Sequence, residues 1–268
     1  MLFGLFKTKE EKKELLFFRS FIRGHYKVFL NKELIEHMLQ KGFDINIQGS
    51  AGNTLLHWAL LSGKDDLSAF LLKNGARADI QNSTRHTPFY IAAKQGKMAM
   101  MDLMLKKDKH INIFSDAYNW TFLHMTVREG WLKATQFLLS KNVDINARNA
   151  LGKTPTHIAA GKWHTGLLEE LLKYHPDLNV QDAEGNTPLH EAAMAGNVSF
   201  KTIKMLLVHG ADPSIRNKAG LTPLQIAVNR HKIKAASALS NAERDYMYGS
   251  LPSFPKYIAH QYVEYKCG

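Results

Sequence analysis

The sequence predicts an all-α repeat solenoid, made of stacked helix-turn-helix units with hairpin-like loops between them, and three observations carry that prediction. Threonine recurs at Thr54, Thr87, Thr121, Thr154, Thr187 and Thr222, at spacings of 33, 34, 33, 33 and 35 residues. A fixed period of this length marks units that stack on one another. An apolar pair follows seventeen residues after each of the first four threonines: Leu71-Leu72, Met104-Leu105, Leu138-Leu139 and Leu171-Leu172. Turn residues such as Asn74-Gly75-Ala76 and His209-Gly210-Ala211-Asp212 then close the unit.

Taken in order, residues 1–48 read as an N-terminal helical cap. Leu15, Phe18 and Ile22 mark one helical face, and Leu34, Ile35, Met38 and Leu39 mark another before Gly42. Residues 49–240 hold six repeats. In each, the threonine is a good N-cap for a first helix, and Pro88, Pro155, Pro188 and Pro223 occupy the next position, where no amide donor is needed. A second helix ends at the apolar pair. In the fifth repeat the pair, Leu206-Leu207, comes two residues late, which places an insertion near Asn197 to Lys201. Helices this short fall below the roughly 12 to 15 residues needed for marginal stability alone, so they must share a core with their neighbours. Residues 241–268 match no repeat. This tail carries Tyr246, Tyr248, Phe254, Tyr257, Tyr262 and Tyr265 around Pro252 and Pro255, and is expected either to pack on the last repeat or to extend from it.

The best-preserved copy, Thr187-Pro188-Leu189-His190-Glu191-Ala192, resembles the core of an ankyrin repeat. Thr154-Pro155-Thr156-His157-Ile158-Ala159 and Thr222-Pro223-Leu224-Gln225-Ile226-Ala227 are close to it, and the copies at Thr54, Thr87 and Thr121 are degraded. The resemblance covers residues 49–240 and implies an all-α ankyrin-repeat solenoid, which is a non-catalytic protein-binding scaffold. It also implies that His57, His124, His157 and His190 tie each Thr-Pro turn to its neighbour; Tyr90 and Gln225 depart from that pattern.

Composition and motifs narrow the chemistry. There is no phosphate-binding Gly-rich loop with a following Lys-Ser/Thr, no His-Glu-x-x-His pair and no nucleophile elbow, so no enzyme is expected. The four repeat histidines sit at one position in units about 10 Å apart, too far for one ion at roughly 2 Å per ligand, so neither a metal nor another cofactor is expected. The single cysteine, Cys267, excludes an intramolecular disulfide and suits a reducing, cytoplasmic setting. Met1 to Phe6 is too short an apolar run for a signal-peptide core or a membrane span. Of the formal net charge of +11, most sits at the two ends, with no recognised nucleic-acid-binding motif, so a nucleic-acid partner is not expected. Leu2, Phe3, Leu5 and Phe6 ahead of Lys7, Lys9, Lys12 and Lys13 allow weak contact with an anionic membrane surface.

Binding is where the sequence departs from its own repeat. In ankyrin stacks the loop tips and the ends of the first helices line a concave groove. That resemblance maps Lys94, Tyr118, Trp120, Arg128, Leu151, Lys153, Lys162 and Trp163 onto the groove of a monomer. Trp120 and Trp163 break the repeat pattern, Trp163 where a Gly is usual, and Trp, Tyr and Arg are the types enriched in binding hot spots. The expected partner is a protein, or an acidic or aromatic peptide, held at repeats three and four. The chain also resembles the ankyrin effectors that intracellular bacteria export into host cells, through its degenerate repeats, its many Lys and Asn and its unmatched tail. That second reading implies modulation of a host protein.

Overall fold

The computed structural model describes residues 31–107, 119–162, 164–195 and 199–247. The chain forms two compact units, Met1–Ile111 and Asn112–Gly268, and the described residues hold thirteen α-helices and no strand. The first unit contains α1 (Lys32–Gln40), α2 (Leu55–Leu61), α3 (Asp65–Lys73), α4 (Pro88–Lys94) and α5 (Met98–Lys107). The second contains α6 (Phe122–Arg128), α7 (Leu132–Leu139), α8 (Pro155–Gly161), α9 (Thr165–Leu172), α10 (Pro188–Met194), α11 (Ser199–Val208), α12 (Pro223–Asn229) and α13 (Ile233–Met247).

The fold is the expected all-α repeat. First helices pack on first helices and second helices on second: α2 on α4 and α3 on α5 in one unit, and α6, α8, α10, α12 beside α7, α9, α11, α13 in the other. A buried apolar residue two after four of the six threonines drives this. Leu56, Phe89, Leu123 and Leu189 are fully buried, as are the leucines of each apolar pair that ends α3, α7, α9 and α11. Alanines such as Ala92, Ala159 and Ala192 let neighbouring first helices approach closely.

Each first helix starts where its threonine caps it. The hydroxyls of Thr54, Thr87, Thr121, Thr154 and Thr222 accept from the amide three residues on, which satisfies one of the orphan donors of a helix start. The repeat histidines complete the cap. The amides of Thr54, Thr121, Thr154 and Thr187 donate to Nδ1 of His57, His124, His157 and His190 at 3.1, 3.3, 3.1 and 3.1 Å. The opposite ring nitrogen of each reaches forward to the next repeat. Nε2 donates to the carbonyls of His86, Lys153, Asn186 and Leu221 at 3.0, 2.8, 3.0 and 3.1 Å. A carbonyl only accepts, so the proton sits on Nε2 and Nδ1 is left to accept: every ring is the neutral ε tautomer. All four rings are buried. Burial therefore pulls His57 and His157 down to about 4 and lowers His124 and His190 as well. The two departures solve the cap differently. Gln225 supplies its Oε1 to the Thr222 amide at 2.9 Å, while Tyr90 stacks flat on His86 with ring centroids 4.0 Å apart.

Successive loops are joined edge to edge in the same register. Ser83, Ala183 and Lys218 donate their amides to the carbonyls of Ala51, Leu151 and Glu184 at 2.9, 2.9 and 3.0 Å. This close approach explains the glycine two before the threonine. At Gly185, φ is +77° and an added Cβ would stand 2.7 Å from the Lys218 amide, a contact that no side chain tolerates. Arg85 and Asn119 occupy the same position with φ of 61° and 52°, a conformation that costs such residues energy.

Two expectations fall partly outside the described residues. Of the N-terminal cap only residues 31–48, with α1, are described, while Leu15, Phe18 and Ile22 lie outside, as do residues 197 and 198 of the expected insertion. The last helix continues past residue 240 to Met247, and Tyr248, Phe254, Tyr257, Tyr262 and Tyr265 lie outside.

The histidine rungs give stability a pH dependence whose sign is fixed. The folded rings of His57 and His157 bind protons only near pH 4, whereas the unfolded chain takes them up below its ordinary value of about 6.5. Stability is therefore intact above that value and falls as pH drops towards 4. By pH 5, His57 and His157 together withdraw on the order of 4 kcal/mol. Thermal melts between pH 7 and pH 5 should show the midpoint falling. In the variant His157→Gln the midpoint should be lower at pH 7, with a shallower pH dependence.

Candidate functional site

The eight residues singled out in the sequence divide between the units. Lys94, exposed at the end of α4, belongs to the first. Trp120, Arg128, Leu151, Lys153 and Lys162 belong to the second. Tyr118 and Trp163 lie outside the described residues.

Trp120 stands immediately before the capping Thr121, on the short connection into α6. Its ring meets His124 edge-on at 5.7 Å, so it packs against the imidazole that forms the rung to Lys153. Arg128, one helix length later at the end of α6, lays its guanidinium over the indole at 4.8 Å, a cation–π contact. Its Nε also donates to Glu129 Oε1 at 2.9 Å. Trp120 stays half-buried and Arg128 exposed. Leu151 projects from the next loop tip and is 52% exposed, although its carbonyl is bonded to Ala183. Lys162 caps the C-terminus of α8, and its side chain is exposed.

Lys153 is tied down instead. Its Nζ donates to Glu191 Oε1 at 2.6 Å and lies 3.8 Å from Asp182 Oδ2. Asp182 is buried, and its Oδ1 accepts from the amides of Glu184 and Asn186. Glu191 was missing from the sequence-derived set. A signal for it existed: at the fourth residue after each threonine the repeats read Trp58, Ile91, Met125, Ile158, Glu191 and Ile226, and Glu191 alone is charged. With Glu129 on Arg128 and Glu191 on Lys153, the surface is less basic than its lysines and arginines suggest. Lys162 makes no ion pair among the described residues.

Lys153 belongs to a wider pattern. The residue before each threonine faces the residue five before the next threonine, across adjacent loops. Asn53 Oδ1 accepts from Asn82 Nδ2, and Asn186 Oδ1 accepts from Asn217 Nδ2, both at 2.9 Å. Lys153 with Asp182 is the same rung built from opposite charges. Trp120 is the departure, because its indole has no acceptor to offer Asn149, its counterpart in register. Asn149 is 5% exposed, and its Nδ2 has no partner. Its Oδ1 accepts from the amides of Leu151 and Lys153, both at 3.0 Å, which fixes the orientation of the side chain.

Glycines usually supply the left-handed turn between the two helices of a repeat: Gly63, Gly96 and Gly130 have φ of 71°, 69° and 79°. His231 adopts 55° at that position in the last repeat. Among the described residues no group of three or more His, Cys, Asp or Glu is placed to hold a metal ion. No described helix is long and apolar enough to cross a membrane.

With this geometry in place, comparison with known proteins is specific. A family model for ankyrin repeats, described in three copies, matches residues 24–115, 61–149, 110–181 and 157–248. The chain is similar to the nuclear factor NF-kappa-B p105 subunit of Gallus gallus, 28% identical over half of this chain and 14% of that protein. It is 32% identical to palmitoyltransferase ZDHHC13 of Homo sapiens over 73% of this chain and 32% of that one. It is also 32% identical to the putative ankyrin repeat protein FPV223 of Fowlpox virus (strain NVSL), over 43% of this chain and 81% of that protein. The chain thus spans about a third or less of the first two relatives.

The roles of the two lysines separate in a stability measurement. Replacing Lys153 by Ala leaves the buried Asp182 carboxylate without its cation, which should cost about 3 kcal/mol. Lys162→Ala removes an exposed charge and should change stability by less than about 0.5 kcal/mol. Urea titrations of the two variants beside the parent check this.

Proposed function

The chain belongs to the ankyrin-repeat family, and on that premise we propose that it binds a partner protein through the face carrying Trp120 and Arg128, at repeats three and four. Repeats of this family are protein-interaction modules without catalytic chemistry of their own. The framework positions recur from repeat to repeat within the chain, so its specificity lies where the copies deviate. The observation that carries the reading is the Trp120–Arg128 pair: an indole and a guanidinium stacked at 4.8 Å, half-buried and exposed respectively, with the indole at a position that two other repeats fill with Asn53 and Asn186. Aromatic and arginine side chains held in place lose little entropy on binding and supply most of the energy of protein interfaces.

The partner is a protein segment that presents an aromatic or acidic side chain to Trp120, Arg128 and Lys162, with Leu151 as an apolar neighbour on the adjacent loop. On this reading residues 1–48 form an N-terminal cap and residues 241–268 an aromatic tail packed on the last repeat or extended from it, the chain acts as a monomer, and the lone Cys267 suits a reducing, cytoplasmic setting. The palmitoyltransferase activity in the name of one relative belongs to that protein, of which this chain covers 32%.

Site-specific photocrosslinking tests the assignment. A crosslinking amino acid at Leu151, exposed on the loop tip, should capture the partner, and one at Phe200, exposed on the second helix α11, should not. Capture at Leu151 should weaken with Arg128→Ala while the melt stays unchanged. Capture from Phe200 alone would move the binding face to the second helices.

A further inference from the structure

Trp120 has a cost that no other residue of the site carries. Three rungs in register with it are matched donor to acceptor: Asn53 with Asn82, Asn186 with Asn217, and Lys153 with Asp182. At the Trp120 rung, Asn149 is 5% exposed, its oxygen is committed to two loop amides, and its Nδ2 is unpartnered. A buried donor without an acceptor is destabilising. A framework position that accepts this penalty in exchange for an indole is a position shaped by something outside the chain. The surrounding charges narrow what that is. Arg128 is paired with Glu129, and Lys153 with Glu191 and Asp182. Beside these pairs the surface is apolar: the half-buried indole of Trp120, lying under the Arg128 guanidinium, and the exposed Leu151, two residues beyond Asn149 on the same loop.

We propose that the Trp120–Asn149 rung is the anchoring subsite for an extended, aromatic-bearing segment of the partner protein. The partner's aromatic side chain packs on Trp120 and Leu151. A backbone carbonyl from the same segment accepts from Asn149 Nδ2 as the indole turns outward, closing the rung that the neighbouring repeats close from within. This rests on the protein-binding reading above, and of the two partner chemistries given there it selects the aromatic over the acidic. The partner must offer a carbonyl in extended backbone, because a helical segment has its carbonyls engaged internally. Recognition by packing and a neutral hydrogen bond is weakly sensitive to salt, unlike recognition between opposite charges at the surface.

The test uses the full chain and a displayed library of random linear peptides. The expected consensus carries an aromatic residue and no excess of Asp or Glu, and the affinity of a synthetic consensus peptide changes little between low and high salt. Trp120→Asn, which supplies the missing acceptor in the manner of Asn53 and Asn186, should raise the melting midpoint by about 2–4 °C and weaken the peptide at least about tenfold. The double variant Trp120→Lys with Asn149→Asp rebuilds the Lys153–Asp182 type of rung, and should fold and lose the peptide equally. Thr156→Val is the control. It removes a second buried and unpartnered polar atom, Thr156 Oγ1, in the core of α8, and should raise the midpoint without changing peptide affinity. In the bound state the Asn149 side-chain amide resonances should move downfield. A lower midpoint for Trp120→Asn would show that the indole is simply packing and overturn the proposal. An acidic, salt-sensitive consensus, or peptides that bind both rung variants as well as the parent, would overturn the subsite while leaving the protein-binding reading intact. Failure to enrich any peptide on the parent, together with failure to crosslink a partner at Leu151, would count against both.

Discussion

A buried imidazole that must remain neutral holds this stack together. Helices of seven to ten residues do not persist in water by themselves, and four of the six first helices here are fixed at both levels by one ring. Through Nδ1 the histidine finishes the cap of its own helix, and through Nε2 it fastens that helix to the backbone of the following repeat. A charged ring could serve the second bond but not the first, because a protonated Nδ1 no longer accepts. Local helix formation and association between repeats are thus one event, as expected of a chain whose repeats bury their apolar faces only against each other.

The position just before each capping threonine stands at the meeting of framework and surface. At His86, Lys153, Asn186 and Leu221 its carbonyl receives the histidine of the preceding repeat, while the side chain at this position reaches either sideways to the next loop or outward. Asn53 and Asn186 close the gap with amides, and Lys153 closes it with charge. Trp120 does neither and is covered by Arg128. Stability and recognition therefore compete for a single side chain, and each repeat can be tuned without disturbing the fold.

The fold was largely legible in the sequence, because its determinants are local and periodic. A capping threonine, a proline that needs no donor, a glycine where the backbone turns left-handed and an apolar pair at fixed distance each leave a mark on the chain. The site was legible only in part. The sequence marked Trp120 as a departure and Arg128 and Leu151 as groove positions, but Lys153 looks from sequence like any exposed lysine. Its engagement depends on Glu191 and Asp182, which lie 38 and 29 residues further on and meet it only when two repeats stack. Likewise the unmet donor of Asn149 arises from a pairing in register that is invisible until the loops are side by side. Tyr118 and Trp163 stand as sequence expectations.

The histidine bonds all run one way along the chain, from a ring to a carbonyl 29 to 31 residues later. Where a histidine is present, its repeat therefore relies on the one after it. Loss of the unit around Thr222 would strand the ring of His190, whereas loss of the unit around Thr121 would leave the Lys153 carbonyl merely unoccupied at a surface that water can reach. The ladder has a polarity, and fraying that starts at its carboxyl end exposes a buried donor that fraying from the other end does not.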